Sequence, residues 1–199
     1  AEKAWTLCNK QNMPLIIFIN KLDDEKADYQ KVLEQLKDRF GKCIAPFLVP
    51  IKENDKINGF VNVVDMNARR FDGEKIAEIP VPDGMEDEIS PIRDMILEAV
   101  AETDEALMEK YFNGEEFTKE EIHHALRRGT EERLIVPVLC GSAVKNQGVR
   151  LLLDAVNAYL PSPDEVEELL ATDADEELAE LSADPAKPLA AQVFKTIAD

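Results

Sequence analysis

The chain has 199 residues, 45% of them hydrophobic and 32% charged, with a formal net charge of −18. That is enough apolar material for one large domain or two small ones, and the charge argues against a broad nucleic-acid-binding face, because phosphates would be repelled. No apolar run approaches the ~18 residues that a membrane-spanning helix needs, so no membrane partner is expected. The start, Ala1-Glu2-Lys3-Ala4-Trp5, has no basic-then-apolar signal pattern and no initiator Met. It opens mid-pattern, as expected of a stretch of a longer chain. Cys8, Cys43 and Cys140 are odd in number, far apart and form no CxxC pair, which reads as reduced thiols in a cytoplasmic protein. His123 and His124 are neighbours in a predicted helix and point ~100° apart, so no metal site is expected.

Ala4–Asn12 reads as the end of a helix, with Trp5 as packing there. Pro14-Leu15-Ile16-Ile17-Phe18-Ile19 is a short continuous apolar run, the pattern of a strand buried on both faces in a parallel sheet. Tyr29, Val32, Leu33, Leu36 and Phe40 then recur at helical spacing, and Gly41 is a stop signal. This is one α/β unit. The pattern changes at Cys43. Cys43–Ile51, Gly59–Asp65, Asn67–Phe71 and Glu74–Ile79 read as strands, the last two joined by a hairpin turn at Asp72-Gly73.

Helices follow. Asp83 and Glu86 have the spacing of a capping box ahead of the stripe Met85, Ile89, Ile92, Ile96, Val100, which reads as core. Asp104–Phe112 reads as a second helix. Thr118 and Glu121 cap a third, which carries Ile122, Ala125 and Leu126 and is expected to stop at Gly129. Strands followed by helices predict a small α+β unit inserted into the α/β domain. The buried-strand pattern returns at Leu134–Cys140, where Pro137 predicts an edge position because it cannot donate to a ladder. A helix over Val149, Leu152, Leu153, Val156 and Tyr159 ends at Leu160-Pro161-Ser162-Pro163. From Asp164 to Asp184 there are ten acidic residues and no Lys or Arg, which reads as a solvated block or linker, partly helical or disordered. Pro188–Lys195 reads as one more strand.

Two loops carry the chemistry. Asn20-Lys21-Leu22-Asp23 directly follows the strand ending at Ile19, and Gly141-Ser142-Ala143 directly follows the strand ending at Cys140. Ligands of open α/β sheets bind outside the carboxyl ends of strands. An ionised Asp in the NKxD pattern can accept from the ring imino N–H and the exocyclic amine of guanine together, donors that adenine does not present in that arrangement. Charge-assisted bonds of this kind are worth roughly 1.5–3 kcal/mol each, so the pair discriminates strongly. The Asn amide can serve the base edge and tie neighbouring loops, and the Lys stem can lie along the base plane. In the second loop the small residues let backbone N–H groups, Ala143 foremost, approach a 6-oxo group.

Pro14–Asp23 (PLIIFINKLD), Ile135–Lys145 (IVPVLCGSAVK), Ala99–Tyr111 (AVAETDEALMEKY), Leu160–Pro163 (LPSP) and an insert of about ninety residues between the loops closely resemble the bacterial elongation factor G family of translational GTPases. The resemblance covers essentially the whole chain; Leu22, where the family often has Met, is a conservative departure. It implies an α/β fold, a partial P-loop GTPase-type sheet with helices plus an inserted α+β subdomain. The expected organisation is residues 1–42 as the guanine-loop half of the G domain, 43–132 as the insert, 133–163 as its last strand and helix, 164–187 as an acidic linker and 188–199 as the start of a β-barrel domain. The resemblance makes Asn20, Lys21 and Asp23 guanine and ribose contacts, Ser142 and Ala143 the second guanine loop, and Lys145 a weaker neighbour. The implied partners are GTP or GDP, the ribosome, and the ribosomal stalk protein through the insert.

The chain contains no GxxxxGK[ST], no DxxG followed by a catalytic His and no switch Thr, the parts that cradle phosphates, bind Mg²⁺ and orient water. In the family these precede the point where this sequence begins, so no catalytic residue is assigned and the Mg²⁺ site is expected outside this sequence. The chain as it stands is expected to bind GTP very weakly and to hydrolyse none, and a sheet with a bare edge is expected to favour self-association. Two other readings are a free-standing protein-interaction module with no nucleotide role and a ribosomal-protection or release-factor GTPase, whose insert would differ.

Overall fold

The computed structural model describes residues 1–53, 56–72, 75–165, 169–172 and 178–181, and beyond these positions 183, 184, 186, 187, 189, 191, 193, 196 and 197. Residues 1–160 form one compact unit and residues 161–199 another. In the first, helix α1 (Glu2–Lys10) buries none of its residues fully and is pinned through Trp5, whose ring stacks on Phe40 with centroids 4.2 Å apart. Strand β1 (Ile17–Ile19) forms from the predicted apolar run. Helix α2 (Tyr29–Phe40) begins where Asp28 accepts from the Lys31 N–H, buries Tyr29, Leu33 and Leu36, and stops at Gly41, as the Gly predicts, with a positive φ of 84° that glycine adopts without strain.

The single strand expected over Cys43–Ile51 divides at Phe47 into β2 (Ile44–Pro46) and β3 (Leu48–Glu53). Then come β4 (Lys56–Asn62), β5 (Asn67–Asp72) and β6 (Lys75–Ile79). Helix α3 (Glu86–Ala101) carries the predicted stripe, with Ile89, Ile92, Ile96 and Val100 all buried. Its capping differs from the predicted box. Met85, not Asp83, is the N-cap, because Pro82 C=O accepts from Met85 N–H in a turn around Gly84, and Glu86 accepts from Gly84 N–H instead. Helix α4 (Glu105–Phe112) is capped by Asp104. Helix α5 (Lys119–Glu131) has both halves of the predicted Thr118–Glu121 capping box. It runs through Gly129 instead of stopping there, because Ile135 packs directly against the bare Cα of that residue. Strand β7 (Val136–Cys140) and helix α6 (Val149–Tyr159) complete the unit.

Two sheets share this unit. The parallel sheet has the order β1-β7-β2, and the antiparallel sheet the order β3-β4-β5-β6. Residues 44–46 thus lie with the parallel sheet, and the antiparallel sheet begins at Leu48. β5 and β6 pair with Asp72 opposite Lys75; the Gly73 of the predicted turn lies outside the described residues. The predicted edge position of Pro137 is incorrect, since β7 is the central strand. The physical reason is the alternation of a parallel ladder. Val136 N–H donates to Cys43 on the β2 side and Gly141 N–H to Ile19 on the β1 side. Pro137 therefore aims its missing donor at β1, one residue before β1 pairing begins at Ile17–Val138, so no ladder bond is lost there.

The core runs through both sheets. Ile44, Val49, Val61, Val63, Ile96, Val100, Leu126 and Val138 are fully buried in one cluster. Tyr29 is buried too, with its hydroxyl donating to Leu48 C=O at 2.9 Å. In the second unit, where a linker was expected, β8 (Leu169–Thr172) and β9 (Leu178–Leu181) pair antiparallel. The predicted strand over Pro188–Lys195 falls largely outside the described residues. No helix among the described residues is long and apolar enough to cross a membrane.

Because Ile96 has no exposed surface, Ile96→Ala is expected to lower unfolding free energy by about 2–5 kcal/mol. A urea titration checks this through a lower midpoint at unchanged slope; a loss well under ~1 kcal/mol would remove Ile96 from the core.

Candidate guanine-recognition site

β1 and β7 run side by side with Ile19 opposite Cys140, so the segments after them leave the sheet at the same carboxyl end and at the same level. Gly141 N–H extends the ladder to Ile19 C=O at 3.0 Å, and Leu22 N–H returns to Gly141 C=O at 3.1 Å. Lys21 adopts a φ of 63°, uncommon for a residue with a side chain, and Asp24 N–H donates back to Lys21 C=O at 3.1 Å. This tight turn lays Asp23 alongside residue 142.

Side chains complete the junction. The Ser142 hydroxyl donates to Asp23 Oδ1 at 2.5 Å, and Ala143 N–H donates to Asn20 Oδ1 at 2.9 Å. Lys145 N–H donates to Ser142 Oγ at 3.2 Å. Asn20, Lys21, Asp23, Ala143 and Lys145 are exposed, whereas Ser142 is 1% exposed. The structure therefore joins five of the six predicted residues in two adjacent hydrogen-bonded sets, Asp23–Ser142–Lys145 and Asn20–Ala143, and the sixth, Lys21, acts on Asp23 through its charge. The Ala143 N–H, expected to face a base, is held by Asn20 instead. That bond is the loop-tying role the Asn20 amide was expected to serve.

Two further residues shape the second loop. Ser142 and Gln147 exchange both backbone hydrogen bonds at 2.9 Å, so residues 142–147 close into a small hairpin. Gly148 turns the chain into α6 with φ of 79°. A Cβ on Gly141 would stand 2.2 Å from Gln147 O, and one on Gly148 2.5 Å from Cys140 O. Only glycine allows these approaches. The sequence reading assigned Gln147 and Gly148 no role; the available signal was a Gly immediately before Val149, the first apolar residue of the helix.

The Asp23 carboxyl is held below the ordinary carboxylate range. The Ser142 hydroxyl bond contributes most, then the residue's own backbone N–H; desolvation opposes them, and the charges of Lys145 and Lys21 lower the value further by smaller amounts. A carboxylate with a lowered folded-state pKa adds stability above its unfolded pKa and loses it as pH falls through the lowered value. At neutral pH the group is ionised, an acceptor only, with capacity for about four hydrogen bonds of which Ser142 uses one.

Residues 1–162 match the family described as the elongation factor Tu GTP binding domain. The chain belongs to that family. A crystal structure of a Thermus thermophilus protein is similar to it, with a TM-score of 0.76 and 33% sequence identity over 85% of this chain and 26% of that one. This chain thus spans 26% of the length of that relative. Residues 1–162 are accordingly translational GTPase sequence of the elongation factor Tu type, a family of GTP-binding domains, and the junction lies at the strand ends where α/β proteins bind ligands. Among the described residues of this GTP-binding domain, no group of three or more His, Cys, Asp or Glu side chains is placed to hold a metal ion.

Ser142→Ala removes the largest influence on Asp23. The Asp23 carboxyl is then expected to titrate at higher pH, toward the ordinary range, in a carboxyl-carbon NMR titration. An unchanged titration would mean that the hydroxyl does not hold the carboxylate.

Proposed function

We propose that the Asn20–Asp23 and Ser142–Lys145 loops recognise the guanine base of GTP or GDP, within a ribosomal translocation GTPase of the elongation factor G type that acts in the cytoplasm. The observation that carries this reading is the pair of bonds joining the loops, Ser142 Oγ to Asp23 and Ala143 N–H to Asn20. They hold an exposed, ionised carboxylate beside a backbone loop, the arrangement that suits a base with two adjacent N–H donors and a 6-oxo acceptor. Asp23 accepts from the imino N–H and the exocyclic amine. The 6-oxo group shares the Ala143 N–H with Asn20. The Lys21 stem covers the base plane, and Lys145 adds local positive charge beside Asp23.

The elongation factor G assignment is supported by the ETDEALMEKY segment, which forms the turn after α3 and most of α4, and by the four-stranded antiparallel sheet with three helices that lies between β2 and β7. In that setting the insert is the surface that meets the ribosomal stalk protein. Phosphate binding, Mg²⁺ coordination and water activation fall to groups that the 199 residues do not contain.

Base contacts alone give weak binding. Two charge-assisted bonds at about 2 kcal/mol each total ~4 kcal/mol, which corresponds to a Kd of about 1 mM. Backbone amide NMR with millimolar GDP is expected to shift Asp23, Ala143 and Lys145, with ADP giving no comparable change. Asp23→Asn places an amide donor against the donors of guanine, so it should lose the GDP response and gain one to xanthosine diphosphate, whose 2-oxo group accepts. Equal shifts with ADP and GDP, or shifts confined to other parts of the chain, would overturn the reading, and so would micromolar GDP affinity in Asp23→Asn.

A further inference from the structure

Helix α6 carries the second loop on its N-terminus, and the insert holds that helix at both ends. At the N-terminal end Gly148 faces Phe60 of β4: a Cβ there would be 3.2 Å from the Phe60 ring and 3.3 Å from the Gly141 Cα. Phe60 is 1% exposed, sits between Pro50 and Arg69 in the sheet register and meets Phe71 edge-to-face at 5.4 Å. At the C-terminal end the Tyr159 hydroxyl bonds His123 Nδ1 of α5 at 2.9 Å, and His123 Nε2 bonds Asp65 Oδ1 at 2.9 Å. Asp65 lies in the turn between β4 and β5, and its other oxygen accepts from Asn62 Nδ2 at 2.8 Å. Burial holds Tyr159 in its hydroxyl form; with a neutral His123, an Nε2–H donated to the Asp65 carboxylate leaves Nδ1 to accept from that hydroxyl.

We propose that Phe60 is a positioning residue for the second loop: its ring, held by the antiparallel sheet, seats the Gly141–Gly148 closure and thereby keeps Ser142 and Ala143 in bonding reach of Asp23 and Asn20. The inference builds on the guanine reading but concerns the loop's geometry in the protein without nucleotide. The closure has no side chains of its own to fill the space beside Cys140, because both residues at the crossing are glycines. The nearest large side chain from outside the parallel sheet at Gly148 is Phe60. A smaller residue at position 60 leaves room there, the interior being close-packed, and the hairpin of residues 142–147 can drift into it. The Asp65–His123–Tyr159 chain prevents α6 from following that drift as a rigid body, so the displacement falls on the loop.

The test is backbone hydrogen exchange by NMR on the full 199-residue chain, comparing Phe60→Leu and Phe60→Ala with Ile96→Ala, a buried truncation on α3. The expected result for the Phe60 variants is faster exchange, by about tenfold beyond the protein-wide change, at the Ala143 amide, which donates across the junction to Asn20, and at the Lys145 amide, which donates to the Ser142 hydroxyl that reaches Asp23. Ile96→Ala should raise exchange without singling out these two amides. The Asp23 carboxyl should titrate higher in Phe60→Ala, less so in Phe60→Leu, and return to the wild-type value in Phe60→Tyr if that variant keeps the ring seated. If Phe60→Ala does not fold, Phe60→Leu carries the comparison. Loop amides that follow only the protein-wide change in Phe60→Leu, with the Asp23 titration unmoved, would overturn the proposal. This result is independent of nucleotide: a failed GDP titration would sink the guanine reading and leave the positioning role of Phe60 intact.

Discussion

The in-register pairing of β1 with β7 is the constraint on which the site depends. Ile19 lies opposite Cys140, and both strands run in the same direction, so two loops separated by more than a hundred residues of chain leave the sheet at one level. A one-residue slip would turn every side chain of the strand to the other face. The register is protected because β7 is buried along its whole length and is held from both sides, by β1 and by β2. The junction is then built almost without side-chain freedom. Leu22 returns to Gly141, Gly141 to Ile19, and Ser142 pairs with Gln147. The Ser142 hydroxyl, which is buried, has both its donor and an acceptor position used, by Asp23 and by Lys145 N–H. A buried polar group left without partners would be costly. The one at the centre of this site is satisfied by the two loops that it joins.

How much of this was legible beforehand follows from what kind of information each feature uses. Short apolar runs announce strands, so β1 and β7 were readable, although only β7 is buried along its whole length and β1 is half-buried at Ile17 and Phe18. So were the stripe of α3 and the Thr118–Glu121 cap, because they depend on spacing within one segment. The loops were readable because residue type and position after a strand suffice to state their chemistry. Features that depend on a neighbour were not. Pro137 reads as an edge residue until the ladder shows that its missing N–H points past the start of β1. Gly129 reads as a helix stop until Ile135 is seen against it. Asp83 and Glu86 have capping spacing, yet the turn at Gly84 moves the cap to Met85. The break at Phe47, which gives β2 to one sheet and β3 to the other, is marked only by the Pro46 before it, and Pro50 inside β3 shows that a Pro alone does not tell a break from a continuing strand. Gln147 contributes through its backbone alone, so its residue type carries no signal.

The net charge of −18 looks unsuited to a polyanionic nucleotide, but the relevant charges are local. At physiological ionic strength the Debye length is about 8 Å, so exposed carboxylates farther away are largely screened. Within the junction Lys21 and Lys145 act on Asp23. The Ser142 hydroxyl and the backbone N–H, with a smaller contribution from the lysines, favour the ionised Asp23 that a base with paired donors requires.

The connection between the sheets also decides how the insert can influence the loops. The chain leaves the parallel sheet at Pro46 and re-enters it at Val136, and those strands are neighbours in that sheet. The intervening residues therefore begin and end on adjacent strands rather than hanging from one flexible tether. Phe47 makes the attachment stiffer: its N–H donates to Val138 C=O and its C=O accepts from Val63 N–H, so one residue bonds both sheets. Its ring also meets Tyr159 edge-to-face at 5.2 Å. A body fixed at both of its ends and bonded across the crossing cannot rotate freely against the parallel sheet, and any displacement imposed on it must distort backbone hydrogen bonds or move the helix that follows the second loop. Among these, α6 is the element whose N-terminus leads directly back to Gln147 and Ser142. Mechanical coupling between the insert and the loop thus arises from connectivity itself, with Phe47 at the crossing and α6 as its continuation.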